Sequence, residues 1–394
     1  FPQLRTCVLR ASHQRNPHAW DDIPQSNIVI TSHTLFRMDH LLWSKYSLSG
    51  LVIDEAQVLK NPRTMLYRSV KELQVPWRIC VSGTPIENSL EDLWALMSLS
   101  VPGLLSTHAH FNEKFRRPIE GTQQDNALEL LHTLIAPFIL RRAKEEVTPE
   151  LPDRIETLLP VPLEGRQRQI YDRYLTRERA RLLRIQLNNE GSQGRFEVLA
   201  ALTRLRQLSL DPALVDERYE GVGSAKINLL CSHLEQIVPA GHQVLVFSQF
   251  VSFLERIDTA LKQRGISCLL LEGKTRKREE VIAKFRRGEE PVFLISLKAG
   301  GVGLTLTEAD YVYIMDPWWN PSVEAQAINR AHRIGQDRAV NVYRLVAQDT
   351  IEEKVCQLQA HKQRLIDTVV DDVGDGGTQG MDIDQLIELL GAGE

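Results

Sequence analysis

Eight short, largely apolar runs constrain this chain more than any other feature: Asn27–Thr31, Leu51–Ile53, Arg78–Val81, Val244–Phe247, Cys268–Leu271, Val292–Ile295, Tyr311–Met315 and Val340–Leu345. A strand that alternates apolar and polar residues has one wet face. A strand that is apolar nearly throughout is buried on both faces, as in a parallel sheet with helices packed above and below. Helical patterns separate the runs, which fall into one group before about residue 100 and a second after about residue 240. An α/β chain of two lobes follows, each a parallel sheet flanked by helices. A length of 394 residues supports this, being more than one hydrophobic core ordinarily holds.

The segment between the lobes reads differently. Arg166–Asn188 is helical in pattern and rich in arginine, with Ile170, Tyr174, Leu182 and Ile185 as one face; Gly191–Gly194 reads as a loop and Glu197–Ser209 as a second helix. Pro149, Pro152, Pro160 and Pro162 mark a linker. The expected organisation is a first lobe over 1–140, a linker over 141–165, a helical protrusion over 166–223, a second lobe over 224–370 and a tail over 371–394. Asp371–Gly380 is flexible in composition, and Met381–Leu390 has the pattern of a short closing helix. The chain opens on Phe1-Pro2 without methionine, close to a strand-like segment, and reads as a fragment.

With 47 basic and 51 acidic residues the formal charge is −4, so any nucleic-acid contact must come from local patches. Cys7, Cys80, Cys231, Cys268 and Cys356 are scattered, with no C-x-x-C pair, which speaks against a disulfide framework or structural zinc and for a reducing compartment. His108 and His110 lack a neighbouring Cys or carboxylate cluster and read as a surface pair. No apolar run is long enough to cross a bilayer, and nothing at the start resembles a signal peptide.

Four patterns carry chemistry. Asp54-Glu55-Ala56-Gln57 follows the run Leu51–Ile53, which puts two carboxylates at the carboxyl edge of a parallel sheet, where α/β ligands bind. Phosphoryl transfer needs one acid for the magnesium ion and another for the attacking water. By itself, Asp-Glu reads more often as an acidic helix start. Ser82-Gly83-Thr84-Pro85 is a small-residue turn after Arg78–Val81, where backbone can approach a ligand. Lys298–Leu304 is a glycine-rich turn after Val292–Ile295 and suits phosphate approach. A dinucleotide fingerprint fails there, because Thr305 and Leu306 stand where the third glycine belongs. Gln326–Gln336 reads as a helix start that sets Arg330 and Arg333 three apart on one face, suited to transition-state charge on a phosphoryl group.

Taken in order, these pieces resemble the Swi/Snf-type branch of the superfamily-two helicase-like ATPases. Asp54–Gln57 with Lys60-Asn61 is similar to the family's Asp-Glu box. Ser82–Asn88, Leu93-Trp94 and Pro102–Leu105 resemble its third motif and the stretch after it. Pro137–Arg142 resembles the inter-lobe segment, Phe247–Gln249 the fourth motif, Leu297–Asp310 with Asp316–Pro321 the fifth, and Gln326–Gln336 the sixth. The likeness spans about Ile28 to Glu353.

The resemblance implies two RecA-like lobes using ATP and magnesium, with double-stranded DNA as partner. It implies magnesium held through water by Asp54, an attacking water oriented by Glu55, and arginine fingers at Arg330 and Arg333. Gly303 and Gln326 would lie near the nucleotide, and Thr84 would couple hydrolysis to DNA movement. Thr31, Ser32, Ser248, Gln249, Gly273, Thr275, Lys298 and Trp319 would face DNA, and Arg141 and Arg142 the lobe junction. Lys274 stands where the family more often has Ser or Thr. The family's phosphate-binding loop, with its glycine-lysine-serine/threonine, belongs ahead of the Asp-Glu box. No such loop precedes Asp54, so weak hydrolysis is expected of these residues alone. The function expected is remodelling of protein–DNA complexes by translocation on duplex DNA. The rivals are a motor associated with RNA polymerase and a DNA-binding scaffold without hydrolysis. The expected location is cytoplasmic, at the nucleoid, in a prokaryote and nuclear in a eukaryote.

Overall fold

A computed structural model describes residues 3–83, 90–120, 125–142, 148, 150–187, 191–297, 304–319, 321–357 and 359–360. The chain divides between Leu140 and Arg141 into two compact units.

In the first unit, strands β1 (Thr6–Val8) and β2 (Ile28–Ile30) pair in parallel, as do β3 (Leu51–Ile53) and β4 (Arg78–Cys80). Ser32 caps helix α1 (His33–Met38) by accepting from Leu35 N, and Thr64 caps α2 (Met65–Glu72) by accepting from Tyr67 N. Helix α3 (Leu90–Ser100) is apolar nearly all round and is buried along Leu90, Leu93, Trp94, Ala95, Leu96, Met97 and Leu99, so it forms the axis of this core. Helix α4 (Asp125–Ile135) adds Leu128, Leu131 and Ile135. Expected burial on both strand faces fails here. Cys7 and Ile53 point inward, whereas Ile30 is 51 % and Val52 58 % exposed. Successive strand side chains point to opposite faces, and among the described residues only one face of each two-stranded sheet is covered.

The second unit meets the expectation across its central strands. Strands β5 (Arg154–Val161), β6 (Val244–Ser248), β7 (Cys268–Leu271), β8 (Val292–Ser296), β9 (Tyr311–Ile314) and β10 (Val340–Ala347) form one sheet in the order β5-β10-β9-β6-β8-β7. Every pairing in it is parallel. Val244, Val246, Val292, Leu294 and Tyr313 pack with Leu230 and Leu234 of α7 (Ala225–Ile237) and Phe253, Leu254, Ile257 and Leu261 of α8 (Val251–Gln263). The alternate residues Leu245, Phe247, Phe293, Ile295, Val312 and Ile314 pack with Phe285 of α9 (Arg278–Arg286) and Ile328 of α10 (Pro321–Ile328). This period-2 division is why the runs are apolar nearly throughout: both faces carry a core, each buried side chain contributing about 1.5–3 kcal/mol.

Two expected boundaries change. The linker placed over 141–165 contains β5, which pairs with β10 from Arg154↔Val340 to Val161↔Ala347. Its polar, proline-bearing sequence suits an edge strand, where Pro160 interrupts no ladder on the open side. The loop expected at Gly191–Gly194 is helical backbone, because α6 (Gly191–Leu210) begins there after α5 (Gly165–Leu187). Ala201, Leu202, Leu205 and Leu208 pack against Ile170 and Tyr171, and that packing outweighs the weak helix propensity of two glycines. Gln167 secures the base of this hairpin by donating to the last carbonyls of α6 at 3.3–3.5 Å and accepting from Ala225 N at 3.0 Å. Residues 361–394, with the expected tail and closing helix, lie outside the described residues. Among the described residues no helix is long and apolar enough to cross a membrane.

Candidate functional site

On the first unit the acid pair sits where β3 and β4 end side by side. Val81 N donates to Ile53 O and Ala56 N to Val81 O, both at 2.8 Å, so the turns after the two strands are stitched together. Asp54 is exposed, and its Oδ1 accepts from Glu55 N at 2.9 Å. Glu55 takes a left-handed conformation (φ 48°, ψ 47°), which costs a non-glycine residue roughly 1–2 kcal/mol. Gln57 Nε2 donates to Glu55 Oε2 at 2.6 Å, and Ser82 Oγ donates to Gln57 Oε1 at 2.8 Å. A hydrogen-bonded line therefore runs from the serine turn through Gln57 to Glu55. Asp54, open to solvent with one oxygen engaged, fits a magnesium ion held through water. Glu55, half-buried and clamped, fits an orienting role. Thr84 lies outside the described residues.

Thr31 and Ser32 follow β2. Thr31 Oγ1 is buried with no hydrogen-bond partner, while Ser32 Oγ accepts from Leu35 N at 3.3 Å and keeps its proton for another acceptor.

On the second unit, α10 stops at Ile328, so the expected helix through Gln336 does not form and Arg330 and Arg333 do not share a helix face. The backbone is drawn into tertiary bonds instead: Leu306 N donates to Arg330 O at 2.9 Å, and Gln336 Nε2 donates to Ala309 O at 2.8 Å and Ala331 O at 3.3 Å. Arg330 is buried with Nη1 on Leu304 O at 3.3 Å; Arg333 is exposed with Nη1 on Thr305 Oγ1 at 3.2 Å. Both guanidinium groups thus converge on neighbouring residues just past the glycine-rich segment. Gln326 is half-buried on α10. Lys298 and Gly303 lie outside the described residues.

The residues expected to face DNA divide by exposure. Gly273 and Lys274 are exposed in a turn closed by Thr275, whose N donates to Glu272 O at 3.1 Å and whose Oγ1 accepts from Glu272 N at 3.0 Å. Ser248 is wholly buried at the end of β6, accepts from Phe250 N at 3.1 Å and bonds to Asp316. Direct contact between Ser248 and DNA is therefore corrected to an internal role. Gln249 and Trp319 are half-buried, and Gln249 N reaches Asp316 Oδ1 at 3.3 Å. Burial pushes the Asp316 carboxyl up to about 7, against the opposing pull of Arg206 and Ser248. Arg141 and Arg142 are exposed at the start of the second unit.

Residues 1–214 match the family model for the SNF2-related domain, and residues 225–335 match the helicase conserved C-terminal domain. The chain belongs to the SNF2-related family. An uncharacterized ATP-dependent helicase of Mycoplasma pneumoniae is 34 % identical over 378 residues, covering 94 % of this chain and 35 % of the relative. The TATA-binding protein-associated factor MOT1 of Saccharomyces cerevisiae is 30 % identical over 427 residues, covering 93 % and 23 %. The protein CHROMATIN REMODELING 24 of Arabidopsis thaliana is 34 % identical over 381 residues, covering 82 % and 34 %. This SNF2-related chain thus spans from about a quarter to about a third of these relatives. The solved Sulfolobus solfataricus SWI2/SNF2 ATPase core in complex with dsDNA is 32 % identical, with a TM-score of 0.47, covering 94 % of this chain and 77 % of that one.

Sequence reasoning missed the polar framework behind these SNF2-related motifs. Arg206, Lys226 and Glu352 are nearly or wholly buried and tie α6, α7 and the helical residues 351–357 to the ends of β9 and β10. A charged residue inside an otherwise apolar pattern was the one available signal, and it does not say which partner it meets.

Proposed function

We propose that this chain is the motor of an ATP-dependent duplex-DNA translocase that remodels protein–DNA complexes. One observation carries the reading: Glu55 is clamped by Gln57, which Ser82 holds in turn, so a fixed carboxylate stands beside a solvent-facing one at the carboxyl edge of β3 and β4. A scaffold has no use for an oriented acid of this kind. An ATPase does, because catalysis of phosphoryl transfer is mostly positioning and electrostatics.

In this reading Glu55 orients and polarises the attacking water. Asp54 is the residue that would hold a magnesium ion through water, and such an ion would supply charge neutralisation on the nucleotide phosphates. Arg330 and Arg333 meet the charge that develops on the transferred group, with Leu304 and Thr305 setting their positions. Ser32, Gln249, Gly273, Thr275 and Trp319 grip the DNA backbone through hydroxyls, amides and a ring, whereas the Thr31 hydroxyl is buried and supports the loop from behind. Such contacts are sequence-independent and salt-sensitive and do not need a basic protein. The family resemblance extends the nucleotide site to Gln326, Gly303 and Thr84 and the DNA path to Lys298.

The test is ATP hydrolysis by the full-length protein with and without duplex DNA; the 394 residues alone, with no glycine-lysine-serine/threonine loop ahead of Asp54, are expected to hydrolyse weakly. Wild-type hydrolysis rises on adding DNA. Glu55→Gln lowers kcat by about 10²–10⁴-fold, and Arg330→Ala by roughly 10³-fold. Hydrolysis indifferent to DNA, or near-normal turnover in either variant, contradicts the reading.

A further inference from the structure

Arg206 is carried by α6 into the interior of the second unit, where it is 3 % exposed. Its guanidinium carbon lies 5.7 Å from the ring centre of Phe250, 5.3 Å from Trp318 and 5.4 Å from Trp319. Nη2 donates to Pro317 O at 2.5 Å and stands 3.5 Å from Asp316 Oδ2. Asp316 in turn accepts from Gln249 N at 3.3 Å, and Trp318 N donates to Glu324 Oε1 at 2.7 Å. One cation on α6 therefore touches both the Ser248–Phe250 turn and the Asp316–Trp319 segment, which are 66 or more residues apart in sequence.

The chemistry requires arginine. A guanidinium is planar and weakly hydrated, so it can lie among three rings while its edge donates to a carbonyl and a carboxylate. An ammonium is a compact, strongly hydrated point charge that cannot satisfy both demands. Three residues along the same helix, Ser209 Oγ lies 2.7 Å from Glu352 Oε1, which fixes the register of α6 against the rest of the unit.

We propose that Arg206 is a positioning residue that holds the Trp318–Trp319 pair and the Gln249 turn as one rigid surface for DNA, so that the α5–α6 hairpin is coupled to DNA grip. The proposal deepens the translocase reading and rests on it. The experiment uses the full-length protein with Arg206→Lys and Arg206→Met, read by the duplex concentration giving half-maximal ATPase stimulation, by KM for ATP, and by acrylamide quenching of tryptophan fluorescence. Arg206→Lys, which keeps the charge and fills the site, raises the half-stimulating DNA concentration about five- to thirty-fold, while KM for ATP stays within about twofold. Quenching increases in the same variant, and the increase disappears when Trp318 and Trp319 are both replaced by Phe. If Arg206→Met fails to fold, Arg206→Lys carries the test. Wild-type DNA dependence together with wild-type quenching in Arg206→Lys overturns the proposal. A wild-type protein that DNA does not stimulate overturns the translocase reading, and the quenching comparison then decides the positioning role of Arg206.

Discussion

Lys226→Met removes a charge from the most deeply buried ion pair described in the protein. Lys226 and Glu352 are both 0 % exposed, and Lys226 Nζ donates to Glu352 Oε2 at 2.5 Å, Met315 O at 2.6 Å and Leu345 O at 2.8 Å. Methionine nearly matches lysine in length, so the change creates little cavity. Among the described residues it leaves Glu352 with donors from Ser209 Oγ and Ala347 N, and it leaves the carbonyls of Met315 and Leu345 without the donor they share. Breaking one side of a buried pair costs about 3–5 kcal/mol, because the remaining charge is uncompensated. In a unit of this size each kcal/mol lowers the melting temperature by roughly 2–4 °C, so the transition of the second unit falls by about 6–20 °C. The assay is calorimetric or circular-dichroism melting at neutral pH. The double variant Lys226→Met/Glu352→Gln recovers much of the loss, since the amide carries no charge and can donate to the orphaned carbonyls. A single variant that melts with wild type, or a double variant no better than the single, refutes the argument that uncompensated charge sets the cost.

Asp316 gives a pH signature. Its carboxyl is raised to about 7, so the folded state holds the proton more tightly than the unfolded chain. The stability from this group is fully present below about pH 4 and is lost as pH rises through 7, at no more than about 1.4 kcal/mol per pH unit. Asp316→Asn flattens that slope, and denaturation profiles between about pH 5 and 8 that stay as steep as wild type would exclude it. Gln57→Ala removes the Gln57 hydrogen bond that orients Glu55 and lowers kcat of the full-length ATPase by about 10–100-fold with little change in KM for ATP. Unchanged turnover would mean that the clamp on Glu55 is incidental.

Much of this architecture was legible in the residues. All eight apolar runs became strands within a residue or two of their expected ends. A run that is apolar nearly throughout stands out from its neighbours, and that property is local. The motifs were equally legible, because Asp54–Gln57 and Ser82-Gly83 stand immediately after strands and therefore at the ligand-binding edge. Strand β5 was not, since its exposed, proline-bearing sequence lacks the apolar signature and is recruited by β10, 186 residues on at Arg154↔Val340.

The tertiary structure alone decided the rest. Arg330 and Arg333, evenly spaced for one helix face, are separated by burial because bonds to Leu306 and Ala309 end the helix early. Ser248 turns inward because Asp316, 68 positions away, supplies its partner. Arg206 and Lys226, charges set among apolar residues in sequence, become the frame of the second unit. Periodicity along a chain reports which face of an element is buried. What a buried charge meets depends on elements more than a hundred residues distant, such as Pro317 for Arg206 and Glu352 for Lys226, and it exists only once the sheet has brought them together.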